Sequence, residues 1–183
     1  MPPSKDIWVF GYGSLMWRPE FDFIERRPAL LGGYHRALCV YSIHYRGVPG
    51  RPGLVVGLDR GGSCRGRAMR VSGAKAEQVM DYLRKRELVN GVYREAWLPV
   101  RVGNRRVTAC TYVVNRDHEH YVGMLSIERT AAVVARAVGP AGTALDYLQN
   151  TIAHLDDLGI QEGRLHRILA RAERLANQSA ATR

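Results

Sequence analysis

Two stretches of this chain carry residue types able to do chemistry. The first is Phe10-Gly11-Tyr12-Gly13-Ser14-Leu15. Two glycines one residue apart let the backbone turn sharply and let a ligand come close to its N–H groups. Backbone donors so placed can hold a carboxylate or an oxyanion. The third glycine of a dinucleotide fingerprint is missing, so that reading is excluded, while an ordinary glycine turn would use the same residues. The second is Glu87, which follows Met80 by seven residues and Ala76 by eleven. Those intervals are close to two and three helical turns at about 3.6 residues per turn, so the carboxyl points with the apolar face, toward a core. An inward ionisable group is costly unless it is paired or has a task. Periodicity alone equally admits a buried ion pair, for example with Arg94.

The elements that must position these residues are legible in outline. Ile7-Trp8-Val9-Phe10 is a short apolar run ending at Gly11, the pattern of a buried strand that would launch the glycine turn. Leu54–Leu58 and Arg67–Val71 flank the turn-rich Gly61-Gly62-Ser63 and predict a hairpin. Trp97–Val102 and Val107–Val114 flank Gly103-Asn104 and predict another. Gly47–Gly53, rich in proline and glycine, reads as loop. A helix is predicted from Ala74 to about Glu87, with Ala76, Val79, Met80 and Leu83 on one face. Ser126 is the expected N-cap of a second helix, with Glu128 in its first turn and Gly139-Pro140 as its stop. Leu145, Leu148, Ile152 and Leu155 stripe a third helix that ends before Gly159, and Leu165, Ile168, Leu169, Ala172 and Leu175 stripe a fourth. The chain after about Ala176 is expected to fray. Strands first and helices later, without strict alternation, predict an α+β fold. A single domain over residues 1–183 is expected, its core spanning about 7–176.

Composition narrows the function classes. A hydrophobic fraction of 46% suits a globular core. Cys39, Cys64 and Cys110 are odd in number and widely spaced, which argues against a disulfide framework and a zinc site. They read as packed, reduced thiols, Cys39 included, since no activating base lies near it in sequence. His118 and His120 flank Glu119, a spacing that matches no metal-ligand pattern. Met1-Pro2-Pro3-Ser4-Lys5-Asp6 is not the start of a signal peptide, and no apolar run approaches a membrane span of about 20 residues. A cytoplasmic protein without a membrane role is expected. The formal charge of +10 comes mainly from scattered arginines, densest at Arg26-Arg27 and Arg105-Arg106. No aromatic residues interleave with a basic stripe, so no specific nucleic-acid partner is expected. Oligomeric state cannot be read from the sequence.

With the glycine turn and the inward glutamate in place, the sequence resembles the bacterial branch of the ChaC-like γ-glutamylcyclotransferases. The resemblance runs from about Ile7 to Leu169 and rests on the order and spacing of several short segments. The family's Tyr-Gly-Ser-Leu motif stands as Tyr12-Gly13-Ser14-Leu15, and its Arg-Glu segment as Arg86-Glu87-Leu88-Val89-Asn90-Gly91-Val92-Tyr93. Arg46-Gly47, Pro52-Gly53, Gly139-Pro140 and Tyr147-Leu148 also match. Where eukaryotic members carry a Gly-Ser-Thr-like stretch before the Arg-Gly pair, this chain reads Tyr41-Ser42-Ile43-His44-Tyr45.

The resemblance implies a small mixed β-barrel with flanking helices. It implies Glu87 as the catalytic acid–base. Val9, Phe10, Gly11, Tyr12, Gly13, Ser14 and Leu15 would form the loop that binds the γ-glutamyl moiety, with Tyr121 near it. The implied substrate is glutathione, cleaved to 5-oxoproline and cysteinylglycine with no cofactor and no metal. Such chemistry needs little machinery, because the γ-glutamyl α-amine is itself the nucleophile. Holding the chain curled can contribute roughly 7–11 kcal/mol. The amine must lose a proton and the departing amine must gain one, both tasks for one carboxyl of raised pKa. Two other readings use the same residues: the same chemistry on another γ-glutamyl peptide or amine, or a non-catalytic module holding an anionic ligand in the glycine turn.

Overall fold

The computed structural model describes residues 5–181; Met1 to Ser4, part of the leader reading above, lie outside them. The chain divides into two compact units. Of the described residues, one unit holds those up to Arg36 together with Leu58–His118, and the other holds Ala37–Gly57 and those from Glu119 on. Among the described residues, no helix is long and apolar enough to cross a membrane.

Among the described residues the fold is α+β, with a five-stranded closed barrel and four α-helices. The strands are β1 (Ile7–Gly11), β2 (Glu25–Ser42), β3 (Gly53–Val71), β4 (Tyr93–Val102) and β5 (Arg105–Val114), closed in the order β1-β3-β2-β4-β5. β1 runs antiparallel to β3 and parallel to β5, so the barrel is mixed. Side chains alternate faces along a strand, and β1 buries both of its faces. Trp8 and Phe10 join Leu31, Leu58, Ala68, Val100 and Ala109 in the interior cluster. Val9 faces the other way, into a cluster with Met69, Cys110 and Tyr112. The helix α1 (Gly73–Glu87) closes that second cluster with Val79, Met80 and Leu83, the face its periodicity predicts. Its first amide, Gly73 N, donates to the Asp6 carboxylate at 2.9 Å, which satisfies a group the helix itself leaves unpaired.

The β4–β5 hairpin forms as expected, with Val102 opposite Arg105 across Gly103-Asn104. The hairpin expected around Gly61-Gly62-Ser63 does not form: β3 is one strand running straight through it. Gly61 and Gly62 adopt positive φ of 101° and 67°, a kink only glycine takes readily. The His35 side chain meets Gly61 O at 3.0 Å there, so β2 holds the kinked segment in place. β2 itself carries no strand expectation above. At Gly66 the constraint is space: an added Cβ would overlap Gly11 O and lie 2.7 Å from Phe10 Cζ. β3 can therefore pack against the glycine turn only with a bare backbone at that position.

The second unit contains α2 (Ile127–Arg136), α3 (Ala144–Asp157) and α4 (Gly163–Ala181), with the short pair β6 (Val138–Gly139) and β7 (Gly142–Thr143). Ser126 caps α2, its Oγ accepting from Arg129 N at 3.2 Å. The helix stops at Arg136, ahead of Gly139-Pro140. Past Ala176, where fraying is expected, α4 continues to Ala181, the last described residue. Alanine is the strongest helix former, and Ser179 Oγ bonds back to Leu175 O at 3.0 Å. Several of the short segments named above meet in this unit. Arg46 stacks over the Tyr147 ring at 5.5 Å, Tyr147 Oη accepts from Val56 N at 3.1 Å, and Gly139 packs against the backbone of Tyr45 and Gly47. Arg46-Gly47, Gly139 and Tyr147 thus serve the architecture of this unit.

Candidate active site

Glu87 is the last residue of α1. The end of a helix carries partial negative charge and favours cations, and Arg84, Lys85 and Arg86 occupy the same turn. Glu87 breaks that local rule, which is common where a residue is kept for a task. Its side chain is 20% exposed. Burial raises its pKa above the ordinary carboxyl value, and the neighbouring Arg86 charge opposes this only in part. The result is a carboxyl with a higher proton affinity than a solvated one, which suits a group that must hold a proton between two transfers.

The buried ion pair with Arg94 does not form. Arg94 turns to Asp117, Nη2 to Oδ2 at 3.1 Å, because it lies on β4, while the partner of Glu87 is Arg86, Nε to Oε1 at 3.2 Å.

Arg86 also connects Glu87 to the glycine turn. Its Nη2 donates to Ser14 Oγ at 2.9 Å. Its Nη1 donates to Arg18 O at 2.9 Å, Pro19 O at 3.3 Å and Tyr82 Oη at 2.9 Å. The Tyr82 hydroxyl in turn donates to Glu20 Oε2 at 2.9 Å. The turn and the acid, remote in sequence, therefore stand on either side of one guanidinium.

The residues from Val9 to Leu15 divide by what their side chains do. Val9, Phe10, Tyr12 and Leu15 are core residues, so their side chains build the scaffold of the turn. Phe10 O accepts from Thr111 Oγ1 at 3.0 Å, and Tyr12 O accepts from Arg36 Nε at 2.6 Å. Gly13 is half-buried and Ser14 exposed. A short 3₁₀ turn begins at Ser14, and its backbone bonds start from Met16 N. The amides of Ser14 and Leu15 take no part in those bonds, the usual state of donors that open a helical turn. Tyr121 belongs to the other unit, where it pairs with Val40 in an antiparallel bridge.

Two participants carry no role in the reading of the sequence. Arg36 is 4% exposed and holds Tyr12 O and, through Nη2 at 2.7 Å, Arg65 O. It places a buried positive charge beneath the glycine turn. Nothing in its flanking residues marks it as buried. Arg86 had a weak signal, since it follows Tyr82 by four residues and i,i+4 pairs meet on a helix.

The thiols offer no nucleophile. Cys39, Cys64 and Cys110 are buried and in no disulfide, and burial, reinforced by the Glu95 charge, pushes the Cys110 thiol up to about 12. His118 Nε2 lies 2.9 Å from Asn90 O, and among the described residues no three His, Cys, Asp or Glu side chains gather as a metal site.

Comparison with known proteins bears on the family and the fold. The model of the ChaC-like protein family matches residues 7–175. The glutathione-specific γ-glutamylcyclotransferase of Escherichia coli strain K12 is 34% identical over 175 residues, covering 95% of this chain and 76% of its own. Glutathione-specific γ-glutamylcyclotransferase 1 of Mus musculus is 33% identical over 147 residues, 78% of this chain and 66% of its own. A crystal structure of a yeast γ-glutamyl cyclotransferase specific to glutathione superposes with a TM-score of 0.82 over 93% of this chain and 97% of its own. At 23% identity, that likeness speaks for the fold alone. The match to the family model over nearly the whole chain, and the identity to the bacterial relative, establish that this chain belongs to the ChaC-like family.

Proposed function

We propose that this chain is a γ-glutamylcyclotransferase that converts glutathione to 5-oxoproline and cysteinylglycine, with Glu87 as its acid–base residue. The observation that carries the reading is a partly buried carboxyl of raised pKa joined through Arg86 to the glycine turn. The bacterial and mouse relatives are named for that activity on glutathione. A module that only held anions would gain nothing from a buried carboxylate beside its binding turn.

In this reading the γ-glutamyl group lies along Gly11–Leu15, curled so that its α-amine faces its own γ-carbonyl. Glu87 takes a proton from the ammonium and frees the lone pair. The amine nitrogen attacks the γ-carbon, a C–N bond closes the five-membered ring, and the carbonyl oxygen becomes an oxyanion. Backbone donors such as the amides of Ser14 and Leu15 suit an oxyanion or the substrate carboxylate. The oxyanion collapses, the amide C–N bond to cysteinylglycine breaks as Glu87 returns its proton to the departing nitrogen, and the second proton of the ring nitrogen passes to the released amine, which leaves as an ammonium. Atoms balance with no water consumed. The buried thiols, in no disulfide, suit a cytoplasmic location.

The direct test is a panel of γ-glutamyl compounds scored for 5-oxoproline. Glutathione should be the best substrate. If γ-glutamyl-alanine reacts much faster, the chemistry stands and the substrate is another γ-glutamyl compound; if nothing in the panel yields 5-oxoproline, the reading falls.

A further inference from the structure

In the mechanism above Arg86 only neighbours the acid, yet its contacts are distributed in an informative way. All three guanidinium nitrogens are engaged, each toward a different part of the site. Nε faces the Glu87 carboxylate, Nη2 takes Ser14, and Nη1 takes the carbonyls of Arg18 and Pro19 and the Tyr82 hydroxyl. Glu20 comes within 3.6 Å of Nη1 and also receives the Tyr82 proton, so the same segment is tied at several successive points. The side chain itself is only 21% exposed, so its stem and most of its guanidinium are held within the fold. A planar fork of five donors can reach several acceptors at fixed angles, whereas a lysine ammonium is a single point charge on a flexible stem.

We propose that Arg86 is a positioning residue: its guanidinium latches the Ser14–Pro19 segment to the last turn of α1 and thereby fixes where the Glu87 carboxyl stands against the glycine turn. This rests on the assignment of Glu87 made above. The latch is placed where small errors matter, because a displacement of about 1 Å between reacting groups can cost roughly 10²-fold in rate. It also contributes charge. The groups facing Glu87 are Arg86 from α1, which favours its carboxylate, and Tyr112 from β5, a phenol that stays neutral in the core; Glu20 faces Arg86 from the loop.

The test compares Arg86→Lys, Arg86→Met, Ser14→Ala and the Ser14→Ala/Arg86→Lys double variant, with Glu87→Gln as reference. Each is measured for kcat and KM on glutathione across pH and for melting temperature. Arg86→Lys should lower kcat/KM by roughly 10- to 100-fold, mostly in kcat, since the geometry lost is that of the reacting atoms. Arg86→Met removes the charge that opposes burial of Glu87, so the acid limb of kcat should move to higher pH. The double variant should lose no more than Arg86→Lys alone, because both changes open the same latch. Folded Arg86→Lys and Arg86→Met proteins with wild-type kcat/KM and an unmoved acid limb, beside an inactive Glu87→Gln, overturn this proposal alone. Losses that multiply in the double variant overturn it too. An active Glu87→Gln protein removes the acid–base assignment and the latch together.

Discussion

Replacing Glu87 by Gln separates catalysis from architecture. The amide matches the carboxyl in size and still hydrogen-bonds, so the α1 face of Val79, Met80 and Leu83 should pack unchanged. It cannot take the ammonium proton. General acid–base groups contribute about 10²–10⁴-fold, and a residue serving both proton transfers belongs at the upper end. A loss of ~10⁴-fold corresponds to about 5.4 kcal/mol of barrier at ~1.36 kcal/mol per decade. Stability should hardly respond. Arg86 keeps its contacts to Ser14, Arg18, Pro19 and Tyr82 when Glu87 is gone, so the lost pair is worth about 1 kcal/mol or less. At about 2–4 °C per kcal/mol for a chain of this size, the melting temperature falls by a few degrees at most.

The pH dependence has a definite sign. Burial raises the pKa of Glu87 in the folded state, so between its unfolded and folded pKa values the native protein binds more protons than the unfolded one. Wild-type stability therefore declines as pH rises through that window, and the destabilisation persists above it. Glu87→Gln lacks this decline, which offsets the lost pair with Arg86, so in neutral buffer its melting temperature should stay within a few degrees of wild type. A buried structural ion pair predicts instead a loss of roughly 3–5 kcal/mol. In the rate, wild-type kcat should rise with pH through a limb above the ordinary Glu value of about 4.3, and the variant should have no such limb. The assay is 5-oxoproline release, with glutathione affinity and melting measured on the same preparation. A stable Glu87→Gln protein working within about tenfold of wild type contradicts the general acid–base assignment.

Other consequences follow from the same structure. Gly66→Ala should destabilise the barrel by about 1–3 kcal/mol through overpacking, because its Cβ meets Gly11 O and the Phe10 ring; an unchanged melting temperature would contradict that close approach. Reduced glutathione should turn over much faster than glutathione disulfide, as comparison of 5-oxoproline release from the two will test. Activity should survive chelator treatment, and full loss restored by zinc or magnesium would require a different mechanism.

Much of the fold could be read from local sequence. The β4–β5 hairpin was legible because Gly103-Asn104 suits a tight turn and the flanking residues alternate. α1 was legible because its apolar face keeps helical period up to Glu87, and the inward lean of that glutamate came from the same arithmetic. β3 was not, because Gly61-Gly62 is compatible both with a reversal and with a kink. The β2 neighbour, which puts His35 against Gly61, favours the kink, and that neighbour arrives from elsewhere in the chain.

The candidate site divides in the same way. The order of its segments, and with it the family, lies in the sequence, since motifs are local spacings. The partners of its charged groups do not. Arg94 and Arg86 are equally arginine near Glu87 in sequence, but β4 carries Arg94 to Asp117 while the last turn of α1 leaves Arg86 beside Glu87 and Ser14. The burial of Arg36 under Tyr12 O likewise depends on β2 and β3 closing around the turn. Backbone periodicity is dictated residue by residue, whereas a pairing between charges depends on distance and dielectric, and only the closed barrel sets those.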